Sequence, residues 1–339
     1  MQSGEDLKKQ VSKYIPPFHM TDKITNLAVA ISELLGQIKV LSKGSLTPHL
    51  RKENRIKTIH SSLAIESNSL SLEQVTAIFE GKRIWGHPVE IREVKNAFAA
   101  YEMVLTLDPY SITDLLKAHK AMMNELISEN GKFRNCGVGV FKGKTLVHLA
   151  PPADMVPGQI QDLFTWYQNS EIHPLIRSAI FHYEFEFIHP FVDGNGRMGR
   201  MWHSLLLGHW NEIFYWLPVE ELIRNRQEEY YSALGKSGSD ADSSAFVEFI
   251  LQVILDTMQQ TMFVGTSDVQ SYAVPLIDRL KSAMGNDILS AAEIMERLGL
   301  SNRASFRRDY LNPALSQGVI EMTMPDKPRS RNQKYRLKS

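Results

Sequence analysis

The 339-residue sequence is short of several things, and each shortage removes a class of protein. Its one cysteine, Cys136, allows no intrachain disulfide and no cysteine-based structural zinc site, and it fits a reducing, cytoplasmic setting. The opening stretch MQSGEDLKKQ leads into no apolar segment after its charges, so secretory export is not expected. The two most apolar stretches, 201–219 and 246–258, carry polar or charged residues well inside, and neither reads as a membrane span. Lys plus Arg and Asp plus Glu stand at 38 each, so any attraction to nucleic acid or to an acidic substrate has to come from local clustering. There is no internal repeat, no low-complexity tract, no long run of one charge sign and no G-x-x-x-x-G-K-[ST] phosphate loop.

What is present is 43% hydrophobic content with mostly helical spacing, enough for a substantial core. ITNLAVAISELLGQIKVL and DLLKAHKAMMNEL repeat apolar residues at three and four, which sets the fold class as mainly α. The clearest exception is GVGVFKGKTLVHLAPP (137–152), where two Val-bearing runs flank Lys142-Gly143-Lys144 and a Pro-Pro pair stops the second, the pattern of a small β-hairpin. After a linker expected near 270–288, residues 289–339 read as helix, turn, helix and a proline-interrupted ribbon, with Gly299 ending the first helix and Ser301 capping the second. That is the order of a winged helix-turn-helix, and its ten Lys/Arg against five Asp/Glu make a basic tail hidden by the balanced total.

The most informative stretch is HPFVDGNGRMGR, from His189 to Arg200. The helical pattern LIRSAIFHYEFEFI runs up to it, and Pro190 disfavours continuation, so His189 is expected at a helix end facing a loop. Gly194-Asn195-Gly196 can turn successive N–H groups inward just before the helix RMGRMWHSLLLGHW, which makes an anion cradle. Arg197 and Arg200 lie three apart on the first turns of that helix, where both can reach one anion, while Trp202, Leu205 and Leu206 are expected in the core. Asp193 is placed to hold a hard cation such as Mg²⁺, which favours one or two carboxylates plus phosphate oxygens. His189 can take a proton from an attacking hydroxyl. Phosphoryl or nucleotidyl transfer is the chemistry these parts suit together.

His189 to Arg200 matches, position for position, the H-P-F-x-[DE]-G-N-G-R-x-x-R signature of the Fic family, and the resemblance extends to GKFRNCGVGVFKGKTLVHLAPP and to IRNRQEEYYSAL (223–234). It implies a Fic-type helical bundle with a β-hairpin flap, and transfer of AMP from ATP to protein hydroxyls. By resemblance His189 is the base, Asp193 the Mg²⁺ ligand, and Gly194, Asn195 and Gly196 the anion nest. Arg197 and Arg200 would hold the ATP phosphates, Phe191 would be a buried wedge, and Tyr231 would line the nucleotide pocket. A protein target would dock by main-chain pairing along the flap, 139–148.

Upstream, Ser62-Leu63-Ala64-Ile65-Glu66 resembles the start of the inhibitory motif [ST]-x-x-x-E-[GN] carried by some members of the family. Ser67 stands where glycine or asparagine is usual, and Asn68 is expected to supply the left-handed helix end instead. The resemblance implies that Glu66, with Ser62 on the same helix, engages Arg200 and restrains ATP in an unreactive pose. The same glutamate could orient water for AMP removal.

The expected organisation is an N-terminal helical region with the inhibitory helix (1–108), a catalytic core (109–268) and the winged helix (285–339). Two rival functions remain open. One is a nucleotide-sensing transcriptional regulator, with Arg303, Arg307 and Arg308 on the recognition helix and Lys327, Arg329, Arg331 and Lys334 on the wing, bound to DNA or to a protein partner. The other is transfer of a γ-phosphoryl group from the same site. A second copy of the chain is a further candidate partner.

Overall fold

Helical spacing dominates the sequence, and helices dominate the fold. The computed structural model describes residues 14–41, 48–142, 145–271, 280–281, 283–285, 287–298, 306–316, 318–326, 330 and 333–338. The first helices are α1 (Asp22–Leu41), α2 (Pro48–Ile65), α3 (Leu72–Phe79), α4 (Pro88–Met103) and α5 (Ile112–Met122). A hairpin of β1 (Gly139–Lys142) and β2 (Thr145–Leu149) follows. Then come α6 (Val156–Asn169), α7 (Pro174–Ile188), α8 (Asn195–Trp210), α9 (Val219–Asn225), α10 (Gln227–Asp240) and α11 (Ser244–Ser271).

Local chemistry starts these helices. A capping box opens α3, where the Ser71 hydroxyl accepts from the Gln74 N–H and the Gln74 side chain accepts from the Ser71 N–H. At α5 the Ser111 hydroxyl accepts from the Asp114 N–H, without the reciprocal bond. The helices α4, α6 and α7 each carry proline in the first turn, where no intrahelical bond is lost.

The chain divides after Gln259 into two compact units. At the centre of the first, α7 packs on α8. Both are buried around most of their circumference, with Phe181, Phe185 and Ile188 on α7 and Met198, Trp202, Leu205 and Leu206 on α8 all in the core. Helices α2 and α5 lie against α8, α1 and α6 against α7, and α9 against α2. One apolar core runs from Ile24 to Met258, on both sides of residue 108. The loop 189–194 therefore joins two helices that the core holds on nearly every side.

The expected hairpin is present. It pairs Gly139 with Leu149 and Lys142 with Thr145, with an irregularity between Val140 and Phe141. Among the described residues no third strand pairs with it, and α10 lies near β2. Gly143 and Lys144, at the expected tip, lie outside the described residues.

The second unit follows the helix, helix and ribbon order. A capping box of Ser290 and Glu293 starts the helix Ala291–Arg297, a π-helical turn Arg307–Leu311 leads into Asn312–Ser316, and three antiparallel strands form a sheet. The strands are β3 (Leu289–Ser290), β4 (Ile320–Met322) and β5 (Lys334–Leu337), in the order β3-β5-β4. Leu280 and Met284, within the stretch expected as linker, are fully buried in this unit's own core with Ile294 and Phe306. Gly299, Ser301, Arg303, Lys327, Arg329 and Arg331 lie outside the described residues.

Trp202 is fully buried on α8 and its ring meets Phe164 at 6.0 Å between centroids. Trp202→Ala should cost about 3–5 kcal/mol, measured by chemical denaturation of the full chain. A loss below about 1 kcal/mol would show that the α7–α8 core is not what holds this unit.

Candidate active site

The end of α7 and the start of α8 build the site. His189 takes the left-handed conformation (φ 51°, ψ 61°) as the residue that ends α7, and its N–H still reaches Phe185 O at 3.0 Å. Its Nδ1 lies 3.2 Å from Glu186 O. A carbonyl only accepts, so this contact places the proton on Nδ1 and the lone pair on Nε2.

The loop that follows is pinned from both sides. Phe191 is fully buried and stacks on the His119 ring, 3.6 Å between centroids and 5° apart in plane. The Asn195 side chain accepts from the Phe191 N–H (2.8 Å) and donates to its carbonyl (2.9 Å), closing the loop on itself. His119 Nδ1 accepts from the Gly131 N–H at 2.9 Å, so its Nε2 carries the proton and donates to Asp193 O at 3.0 Å. Burial pushes the His119 pKa down to about 4, which keeps the ring neutral in that role.

Gly194 makes the turn into α8 at φ 85°, a conformation costly for any residue with a Cβ. Its N–H is taken by Asp193 Oδ1 at 2.6 Å, so it contributes the turn and not a donor to the expected nest. The first bond of the α8 ladder is Met198 N–H to Gly194 O, which leaves the N–H groups of Asn195, Gly196 and Arg197 ahead of it without intrahelical partners. No side chain caps this end.

Both arginines of the motif are held by carboxylates. Arg200, with a side chain 1% exposed, donates from Nε to Ser62 Oγ (3.1 Å) and from Nη2 to Ser62 O (3.0 Å) and Glu66 Oε1 (2.8 Å). Burial opposes its charge, but the pull of Glu66 overrides this and raises its pKa above the ordinary arginine value. Glu66 also lies directly over the start of α8: a Cβ on Gly196 would collide with its Oε1. A carboxylate thus occupies the space where the helix dipole and the leading N–H groups favour an anion.

Arg197 pairs with Glu93 Oε1 at 3.1 Å and with Asp193 Oδ1 at 3.3 Å, while its Nε is buried with no hydrogen-bond partner among the described residues. Glu93 was not legible from the motif. Its other oxygen accepts from Asn68 Nδ2 at 2.8 Å, so one carboxylate ties an arginine of α8 to the segment leaving α2.

The end of α2 corrects the sequence expectation. Ser67, and not Asn68, takes the left-handed conformation (φ 71°). The Asn68 N–H reaches Leu63 O and the Ser67 N–H reaches Ala64 O, the paired bonds of a Schellman end. Asn68 is needed elsewhere, because its amide bridges Glu93 and Glu90 O and its oxygen accepts from the Leu70 N–H. Glu66 consequently sits at the C-cap. There the helix dipole disfavours a carboxylate, and Arg200 offsets this.

Tyr231 is 43% exposed, and burial raises its pKa, with Glu66 among the charges acting on it. Its neighbour Tyr230 is the buried member of the pair. Glu186, behind Arg200, has Oε1 buried with no hydrogen-bond partner among the described residues. Burial raises its pKa to about 7, partly countered by Arg200.

Because that pKa lies above the ordinary 4.5, Glu186 stabilises the fold fully at low pH and this contribution is lost as pH rises through 7. Glu186→Gln should therefore gain Tm relative to the parent between pH 5 and pH 8, and parallel curves by circular dichroism would contradict it. Ser67→Gly should stabilise by about 1 kcal/mol in denaturant melts, through relief of the left-handed serine. A destabilised variant would speak against a strained helix end.

Comparison with known proteins agrees with this geometry. Residues 109–207 match the Fic/DOC family, and residues 275–338 match the C-terminal domain of Fic-like (filamentation induced by cAMP) proteins. The protein adenylyltransferase Fic of Drosophila melanogaster is 27% identical over 282 residues, covering 79% of this chain and 53% of its own. Protein adenylyltransferase fic-1 of Caenorhabditis elegans is 29% identical over 233 residues, covering 65% and 44%. The chain spans about half the length of these curated relatives. The crystal structure of a Fic family protein from Desulfovibrio desulfuricans G20 superimposes with a TM-score of 0.75 at 50% identity, over 96% of this chain and 99% of that one. With that identity over nearly the whole of both chains, and the family's motif folded as one site, this chain belongs to the Fic family.

Proposed function

We propose that the chain transfers AMP from ATP to a hydroxyl side chain (Ser, Thr or Tyr) of a target protein or of itself, and that Glu66 restrains the reaction. The observation that carries this reading is His189 held beside an uncapped helix start, with Nδ1 on a carbonyl and the lone pair on Nε2. The target hydroxyl oxygen attacks the α-phosphorus and forms the new P–O bond. The bridging bond to the β-phosphate breaks, pyrophosphate leaves with the electron pair, and His189 Nε2 takes the hydroxyl proton. The leading N–H groups of α8, with Arg197 and Arg200, would bind the phosphates. The unmatched Nε of Arg197 is a donor that such an anion would satisfy.

Asp193 fits a Mg²⁺ ligand. Its carboxylate is 58% exposed and both of its bonds use Oδ1. Among the described residues no group of three acidic, His or Cys side chains forms a metal cage, but Mg²⁺ on ATP needs only one or two carboxylates beside the phosphates. When bound, the cation would neutralise phosphate charge. Supporting the brake, Glu66 holds Arg200 and lies over Gly196, where a phosphate would otherwise sit. At 35% exposure the carboxylate can leave without unpacking the core.

With no third strand paired to it among the described residues, the hairpin suits main-chain docking of an extended target segment, and the strongly exposed Leu149 gives it an apolar contact. The DNA-binding alternative has less support. Of the basic residues it invokes, Arg307, Arg308 and Lys334 lie among the described residues, and no observation on them favours DNA over AMP transfer.

Incubation with α-labelled ATP tests the reading. Glu66→Gly should raise labelling of the chain itself roughly ten- to a hundredfold, the loss of one charge-assisted bond. His189→Ala should abolish labelling in either background. Unchanged labelling in Glu66→Gly would reject the brake, and labelling by His189→Ala would remove His189 as base.

A further inference from the structure

The reactive histidine and the hairpin are separate in sequence, and one buried side chain joins them. Arg134 donates from Nε to His189 O (2.7 Å), from Nη2 to Ile188 O (3.2 Å) and Pro151 O (2.6 Å), and from Nη1 to Cys136 O (3.0 Å). Its main-chain N–H bonds Pro190 O at 2.9 Å. Three consecutive carbonyls at the end of α7 are thus taken by a single residue. The other two carbonyls belong to the two legs of the hairpin: Cys136 precedes β1 and Pro151 follows β2. Between these legs, the Ala150 N–H to Val138 O bond continues the β1–β2 ladder down to the arginine.

The geometry points to Arg134 as the positioning residue that sets where the hairpin, and the target hydroxyl laid along it, stands relative to His189. This rests on the AMP-transfer reading given above. Two physical facts make the arginine suited to it. The planar guanidinium presents donors in fixed directions, so four carbonyls bound to it cannot shift independently, which an ammonium on a flexible stem would allow. The carbonyls ending α7 lack helical partners and carry the negative end of the dipole, so a buried cation there both satisfies them and holds His189 in its left-handed conformation. Among the described residues, none of the Arg134 hydrogen bonds goes to the first turn of α8, to Arg197 or to Arg200, which puts its contribution on the acceptor side of the reaction. In sequence it lies in GKFRN, ahead of the hairpin, where nothing about its spacing announces a link to residue 189.

The test uses the full chain in the Glu66→Gly background, with self-labelling from α-labelled ATP followed against ATP concentration. Arg134→Gln should lower the maximal rate roughly a hundredfold, the effect of misplacing a reacting atom by an ångström. Its half-saturating ATP concentration should stay within about twofold of the parent. Arg134→Lys should recover less than about a tenth of the lost rate. A maximal rate near the parental value, or a parallel loss of ATP affinity, would overturn the assignment, the second because it would make the residue a general support of the loop. If Arg134→Gln does not fold, amide hydrogen exchange on the Glu66→Gly chain decides. The hairpin amides, Ala150 and His189 should then open as one cooperative group, and a hairpin that exchanges while His189 stays protected would reject the link. If the Glu66→Gly chain itself shows no labelling, the AMP-transfer reading fails, and the exchange measurement still tests whether Arg134 couples the two elements.

Discussion

A guanidinium with almost no access to solvent has to be matched by an anion, and in this fold Arg200 is matched by Glu66. The consequences spread outward from that pair. The carboxylate lies at the end of α2 and at the beginning of α8 at once, so the pairing also fixes how two helices of the first unit meet. Removing the carboxylate without supplying another anion leaves a buried charge alone, which is costly. A triphosphate would supply such an anion, so on the proposed reading release of the helix end and entry of the nucleotide are two halves of one exchange.

The second constraint is rigidity of the loop between α7 and α8. Its residues are fixed by contacts of different kinds: stacking of Phe191 on His119, the two bonds from the Asn195 side chain, and the bond from His119 to Asp193 O. None depends on a nucleotide. On the proposed reading, an anion bound at the start of α8 would meet a backbone already held by the protein's own contacts, which lowers the ordering cost of binding.

Much of this was legible in the sequence, and the pattern of what was not is instructive. The motif from His189 to Arg200 is contiguous, so its residues could be read as one site, and helical periodicity placed the core residues Trp202, Leu205 and Leu206 correctly. His119, Glu93, Arg134 and Glu186 escaped notice because each acts across a distance in sequence or through backbone carbonyls. Neither relation leaves a spacing signature. A histidine on an amphipathic helix and a glutamate on the first turns of another look alike whether they face solvent or the loop between α7 and α8. The helix end at Ser67 departs from the sequence expectation for a related reason. Intrinsic preference favoured Asn68 in the left-handed conformation, but the amide of Asn68 was already committed to Glu93 and Glu90.

The position of Glu66 at the C-cap has one further consequence. A carboxylate in mid-helix could leave its partner only by swinging its side chain or by melting the whole segment, whereas one on the last residue can withdraw when a single turn frays. Fraying opens easily and closes fast, and it becomes more frequent on warming. On the proposed reading, the dwell of such a carboxylate on Arg200 is set by how often the last turn of α2 opens, and the bonds of Asn68 to Glu93 and Glu90 O are what hold that turn closed.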